Sequence, residues 1–243
     1  MTAGLGLWVL AGIAAAVLVG ATVQGIVGLG LVLITAPVVT LLAPELVPVV
    51  PLWLALLYPL GALRREWREA DFAGMRWALG GRVPGTAVGV LVVAWASDQV
   101  LGVGVGIMVL AAVGLTWRAV RVPVTAGSLT TAGFVAGITG TATSIGGPPV
   151  AIVYQHHEAA EIRATMAVFF AAGALLSLLC LGAGGQLDLS DLYLALLFSP
   201  VLVLGHLLSV MLRPRLDPGH TRAAVLSICG LSGAVLLVRG LTG

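Results

Sequence analysis

The stretch GITGTATSIGGPPVAIVYQ, Gly137 to Gln155, gathers glycines, hydroxyl residues and a Pro-Pro pair between flanks that are otherwise apolar. The chemistry it offers is electrostatic rather than nucleophilic. Proline ends helical hydrogen bonding on its N-terminal side and suits the first turn of a new helix, so Pro148 and Pro149 predict a half-helix running toward His156. Gly146 and Gly147 permit the turn and leave the backbone unobstructed. Amides left unpaired at that start need an acceptor, and an anion supplies one. Thr143 and Ser144 are further candidate ligands, against the alternative that their hydroxyls bond back to their own helix. Gly140, Gly146, Gly147 and Pro148 have close helix packing as their alternative reading, against which the proline mirrored in the first half favours a functional one.

A second element of this kind, VQGIVGLGLVLITAPVV, lies early in the chain. Sliding it by 112 positions places Gly25 on Gly137, Gly28 on Gly140 and Pro37 on Pro149. Gly28, Leu29 and Gly30 predict a second break, so two positive helix ends would converge on one small anion near the membrane midplane. Gln24 would line that site or bridge two helices. A helix terminus contributes only about 0.3–1 kcal/mol, up to about 2 when partly buried, far less than desolvating a divalent anion costs. The site therefore needs an arginine or one wet side. Arg82, in LGGRVPG, is the best-placed cation, against the alternative that it snorkels to the cytoplasmic interface.

The elements that must position these residues follow from composition. Of 243 residues, 59% are hydrophobic and 9% charged, which predicts an all-α integral membrane protein. Apolar runs predict segments at about 5–22, 25–42, 46–63, 77–95, 99–117, 125–143, 147–157, 163–183, 191–211 and 222–240. This is a polytopic bundle of about 8–10 membrane segments with broken helices, joined at its longest polar link by a loop from Arg64 to Arg76. Arginine clusters at Arg64 to Arg76, at Arg118 and Arg121, and at Arg213 to Arg222 are expected inside, and Arg239 is the one basic residue near the outer side. The links SDQ and QLDLSD are expected outside, with both termini. Five segments per half, an odd number, predict two inverted repeats, 1–121 and 122–243, multi-pass in the cell's inner membrane. The N-terminus reads as retained rather than as a cleaved signal.

QGIVGLGLVLITAP and GITGTATSIGGPP resemble the paired signatures of the TauE/SafE family of sulfite exporters. The resemblance covers essentially the whole chain in length, segment count and repeat arrangement. It implies a secondary transporter of small sulfur-containing or carboxylate anions such as sulfite, sulfoacetate or other sulfonates. RATMAVFF, from Arg163, resembles the family's element after the break and implies Thr165 as a further site residue. One departure is that Gly30 is followed by Leu31 where many members continue with glycine, which bears on the substrate and not on the fold. Expected partners are the anion and membrane lipid, without nucleic acid or cofactor, and with a homodimer as the possible assembly.

Other chemistries find less support. His156, His157 and Glu158 raise a metal, yet neighbours in sequence point to different sides of a helix, so no metal site is expected. His206, inside an apolar segment, is a candidate proton carrier or a packed neutral histidine. Trp53 reads as packing, and Cys180 and Cys229 as small hydrophobes. GLSG, Gly230 to Gly233, matches an intramembrane serine protease motif, but no histidine follows it. All twelve basic residues are arginine, so the chain has no lysine for a phosphate-binding loop. The expectation is a transporter and not an enzyme; the alternatives are a non-transporting membrane subunit or assembly factor, or a metal permease centred on His156 and Glu158.

Overall fold

The computed structural model describes residues 6–117, 122–215, 227, 230–231 and 233–238. The elements among them are α1 (Leu7–Val27), α2 (Leu31–Leu42), α3 (Val49–Glu66), α4 (Phe72–Trp95), α5 (Asp98–Trp117), α6 (Ala126–Thr143), α7 (Gly147–Tyr154), α8 (Ala159–Ala183), α9 (Leu189–Leu197) and α10 (Ser199–Leu212). No strand occurs among the described residues. Arg118, Arg121, Arg222, Arg239, Cys229 and most of the expected segment 222–240 lie outside them.

Burial on α4 is inverted relative to a water-soluble helix. Its inward face is Gly74, Ala78, Gly81, Arg82, Gly85, Thr86 and Gly89, with Met75 the one large apolar side chain among them. Its exposed face carries Val83, Val88, Leu91 and Val92. Small and polar residues inside with branched apolar ones outside is the pattern of a helix solvated by lipid. Exposed Trp77 and Trp95 stand 18 residues apart on it, about 27 Å, close to the hydrocarbon thickness of a bilayer. Arg76 stacks on Trp77 at 5.3 Å, a pairing suited to the interface. Among the described residues α1, α4 and α8 are long and apolar enough to cross, and α9 with the helix that follows makes a fourth run, bent by 43°.

Several boundaries differ from the sequence expectation. α1 continues to Val27 and α2 starts at Leu31, so the boundary between the expected segments 5–22 and 25–42 moves to Gly28–Gly30, the glycines that mark a break in the sequence. The link from Arg64 to Arg76 is largely helical: α3 runs to Glu66, and α4 starts at Phe72 because the Asp71 carboxylate accepts from the Gly74 amide at 2.8 Å and caps it. The expected segment 191–211 divides at Phe198, where Pro200 opens a new helix. Pro37 sits inside α2 while Pro148 and Pro149 open α7, so the two prolines aligned by sequence hold different helical positions.

Two reversals organise the bundle. α2 folds back along α1: a Cβ added at Gly20 would lie 2.9 Å from the Leu31 carbonyl oxygen, and one at Gly12 would lie 2.9 Å from Leu42 Cδ1. α7 folds back along α6, with the Cβ position of Gly146 2.8 Å from the Ala136 oxygen and 3.0 Å from Gly140 Cα. Beyond the hairpins, α4 lies parallel to α6, since Gly85 meets Phe134 and Gly89 meets Ile138 and Thr141. α10 lies parallel to α1, where Gly205 meets Leu18 and Ser209 meets Gly25. α3 packs on α8.

Candidate functional site

Arg82 is ten residues into α4, about 15 Å from its start. It does not snorkel. The side chain is 2% exposed and runs between α4, α6 and α8. Its Cζ lies 4.7 Å from the centre of the Phe169 ring, and the Cβ positions of Gly140 and Gly146 lie 2.9 Å from Nη2 and 3.1 Å from Nη1. A Cβ at Gly173 would overlap the guanidinium itself. Glycine on three sides leaves a slot the thickness of the planar group, with an aromatic face behind it. Within it Nε and Nη1 are buried without a hydrogen-bond partner among the described residues. A buried cation in that state is costly unless an anion completes it.

The α6–α7 turn differs from its sequence reading in one respect. Ser144, not a glycine, takes the left-handed conformation, at φ 64°, while Gly146 is right-handed at φ −101°. A serine there carries strain of about 1–2 kcal/mol. Its hydroxyl donates to the Pro48 carbonyl at 2.8 Å, which holds the turn against the link before α3. Gly146 is required for close approach, as its contacts with Ala136, Gly140 and Arg82 show. Thr143 bonds back to the Thr139 carbonyl at 2.7 Å, the local option for a helical hydroxyl.

The structure brings Arg82, Gly140 and Gly146 together and places the other candidates elsewhere. Gly147 opens α7 against Leu29 and Phe170, with Pro148 next to it. Leu29 therefore joins the two breaks, but as an apolar contact. At the first break Gly28 and Gly30 adopt φ 86° and 155°, the left-handed range that favours glycine. Gly28 lies against Arg163, and Gln24 Oε1 accepts from the Leu31 amide at 3.1 Å, so this helix start is already capped from within. Gln24, Leu31, Tyr58 and Phe170 line a small cavity of about 10 Å³, room for one water. Gln24→Leu leaves the buried Leu31 amide without its acceptor and is expected to cost about 1–3 kcal/mol, measured as a fall in Tm that Gln24→Glu restores.

Thr165 is fully buried and accepts from the Asp71 amide at 3.0 Å, in a node where Tyr154 donates to the Asp71 carboxylate at 2.7 Å. This node ties the starts of α4 and α8 to the end of α7, a full half-helix from Arg82. His206 Nδ1 stands 3.4 Å from the Tyr58 hydroxyl, which donates to the Ala21 carbonyl. His157 pairs with Glu161 at 3.0 Å, and His156 and Glu158 are exposed in the turn after α7. Trp53 packs against the core with its indole N–H buried and without a partner among the described residues.

At the other end of the bundle an open cavity of about 620 Å³ is lined by Glu45, Pro48, Gln186, Asp188 and Asp191 among others. The amide and hydroxyl of Ser190 hold the Asp188 carboxyl below its ordinary pKa, while burial and the neighbouring Asp188 raise that of Asp191. Pro48 lines the cavity and also holds Ser144, so the mouth abuts the α6–α7 turn.

Sequence reading missed Phe169, Gly173 and Thr86. Gly173 carried no motif, and Phe169 lay in RATMAVFF unremarked because aromatic residues in apolar runs are ordinary core. No curated protein and no solved structure matches the chain. The family model for the sulfite exporter TauE/SafE matches residues 12–236, nearly the whole length. With a helix solvated by lipid on one face and an unpaired arginine on the other, that match places the chain in the sulfite exporter TauE/SafE family, whose members are membrane transporters.

Proposed function

We infer that the chain is a secondary transporter of a small oxyanion, sulfite or a sulfonate, which it exports across the cell's inner membrane by alternating access. The observation that carries this is the Arg82 guanidinium, buried at mid-helix with unpartnered Nε and Nη1 beside Gly140 and Gly146. Charge-assisted hydrogen bonds from it are worth about 1.5–3 kcal/mol each, and the amide start of α7 lies close by. Together they offer what a helix end alone lacks.

The reading has the anion anchored at Arg82 and reaching the outside through the mouth at Pro48. Its negative lining disfavours rebinding of a released anion, which suits export. Contacts among the helices support two inverted repeats, 1–121 and 122–243: α4 of the first half on α6 of the second corresponds to α10 of the second half on α1 of the first, both parallel, and α3 on α8 also pairs one helix from each half. Gln24, Gly28 and Gly30 belong to the α1–α2 hairpin and would serve its movement, and His206, on α10, would serve proton coupling. Gly147, Pro148, Thr143 and Ser144 would hold the α6–α7 hairpin, and Thr165 its inner latch.

The test is flux in proteoliposomes loaded with sulfite, sulfate, sulfoacetate, taurine or simple carboxylates. Saturable release of at least one sulfur oxyanion, matched by a rise in Tm with the same anion, is the expected outcome. Absence of both, with a stoichiometric membrane partner copurifying, would identify a non-transporting subunit instead.

A further inference from the structure

The geometry points to Thr86 as a further anion-binding residue, donating its hydroxyl to the oxyanion held by Arg82, an assignment that rests on the Arg82 reading. Thr86 is fully buried and its hydroxyl has no hydrogen-bond partner among the described residues. Among the described threonines Thr139 shares that state, and the pattern elsewhere is different. Thr22, Thr35, Thr40 and Thr143 each donate to the carbonyl four residues back, at 2.7–2.8 Å. For Thr86 that carbonyl belongs to Arg82, and α6 presses on it: a Cβ at Gly137 would lie 2.5 Å from the Arg82 oxygen and 2.7 Å from the Thr86 amide nitrogen.

The same contacts fix the level of the guanidinium. Gly137 stands beside the turn of α4 from Arg82 to Thr86, and Gly140 lies about 4.5 Å further along α6. Because α4 and α6 run parallel, Gly140 is level with the turn that begins at Thr86, as the contact of Gly89 with Ile138 and Thr141 confirms. The guanidinium, whose Nη2 is 2.9 Å from the Cβ position of Gly140, has therefore climbed α4 to lie alongside Thr86. Residues four apart share a helix face, so the threonine hydroxyl and the arginine donors address one volume. The layer beyond is closed by the Thr141 and Ser177 hydroxyls, bonded to each other at 2.8 Å. An orphaned neutral donor beside an orphaned cationic one suits a small ligand with several acceptor oxygens, which takes the charge on one and the hydroxyl on another.

Thr86→Val keeps the shape and removes the donor. Binding of sulfite and of sulfate to the purified full chain is measured by calorimetry for the wild type, Thr86→Val, Thr86→Ser and Arg82→Leu. The expected result is affinity about tenfold or more lower in Thr86→Val, near the wild-type value in Thr86→Ser, and abolished in Arg82→Leu. Without anion, Thr86→Val is expected to melt at or above the wild-type temperature, because it removes a buried unsatisfied group; that readout confirms an intact fold. Affinity within twofold of wild type in Thr86→Val, alongside loss in Arg82→Leu, overturns the assignment and leaves the Arg82 reading standing. Unchanged affinity in Arg82→Leu, or no anion bound by the wild type, overturns both.

Discussion

Replacing Arg82 by leucine is expected to lower anion flux by more than about 100-fold while leaving the unliganded protein as stable as before, or more so. The two halves have one cause. Two charge-assisted hydrogen bonds lost from the bound state come to about 3 kcal/mol or more, which is over 100-fold in affinity. In the empty state the same guanidinium is 2% exposed with two unpartnered nitrogens, a burial that apolar replacement relieves. The stacking lost on Phe169, up to about 2 kcal/mol, offsets part of that gain. Arg82→Lys keeps a charge but not the planar group that fits between Gly140, Gly146 and Gly173, so it is expected to fall between the two. Melting temperature with and without sulfite, together with proteoliposome flux, decides the matter. A leucine variant that transports normally would remove Arg82 from the mechanism, and one that melts well below wild type would make it a structural residue.

Gly133→Ala is expected to destabilise the fold by about 1–2 kcal/mol, and Gly80→Ala on the partner helix to leave it unchanged or more stable. Alanine in a helix interior ordinarily gains up to about 1 kcal/mol over glycine. At Gly80 nothing lies within 4 Å of an added Cβ, so that ordinary sign applies. At Gly133 the Cβ would overlap the Ala78 carbonyl oxygen and lie 2.9 Å from Ala78 Cα, backbone atoms that cannot turn aside. α6 must then move off α4, an overpacking cost of about 1–3 kcal/mol that outweighs the propensity gain. The same movement draws Gly140 away from Arg82, so anion affinity should fall together with Tm. A rise in Tm for Gly133→Ala would show that α4 and α6 are not in this contact.

Lipid solvation, the helical class and the family were legible in the sequence, because each depends on summed or strictly local properties. Nine charged residues in every hundred leave only a bilayer as solvent. Pro148 and Pro149 announce the start of α7 by their own covalent geometry, and Gly28 and Gly30 mark the first break by the φ values they accept. Arg82 was visible as a charge out of place. Its purpose was not, since snorkelling and substrate binding differ only in where a long side chain ends. Where it ends was decided by packing: Gly140, Gly146 and Gly173, unremarkable among 33 glycines, converge to leave one slot the guanidinium fills. Gln24 read as a ligand because a polar group in an apolar run must satisfy its bonds, and Thr165 by resemblance to the family's element after the break; the fold gives each a backbone partner, the Leu31 and Asp71 amides. Thr86 shows the converse, a threonine with no motif whose hydroxyl has no partner among the described residues, with α6 packed against the turn from Arg82 to Thr86. Local chemistry thus determined where the chain bends and what surrounds it, and tertiary contact alone determined which buried polar groups are left unpaired among the described residues.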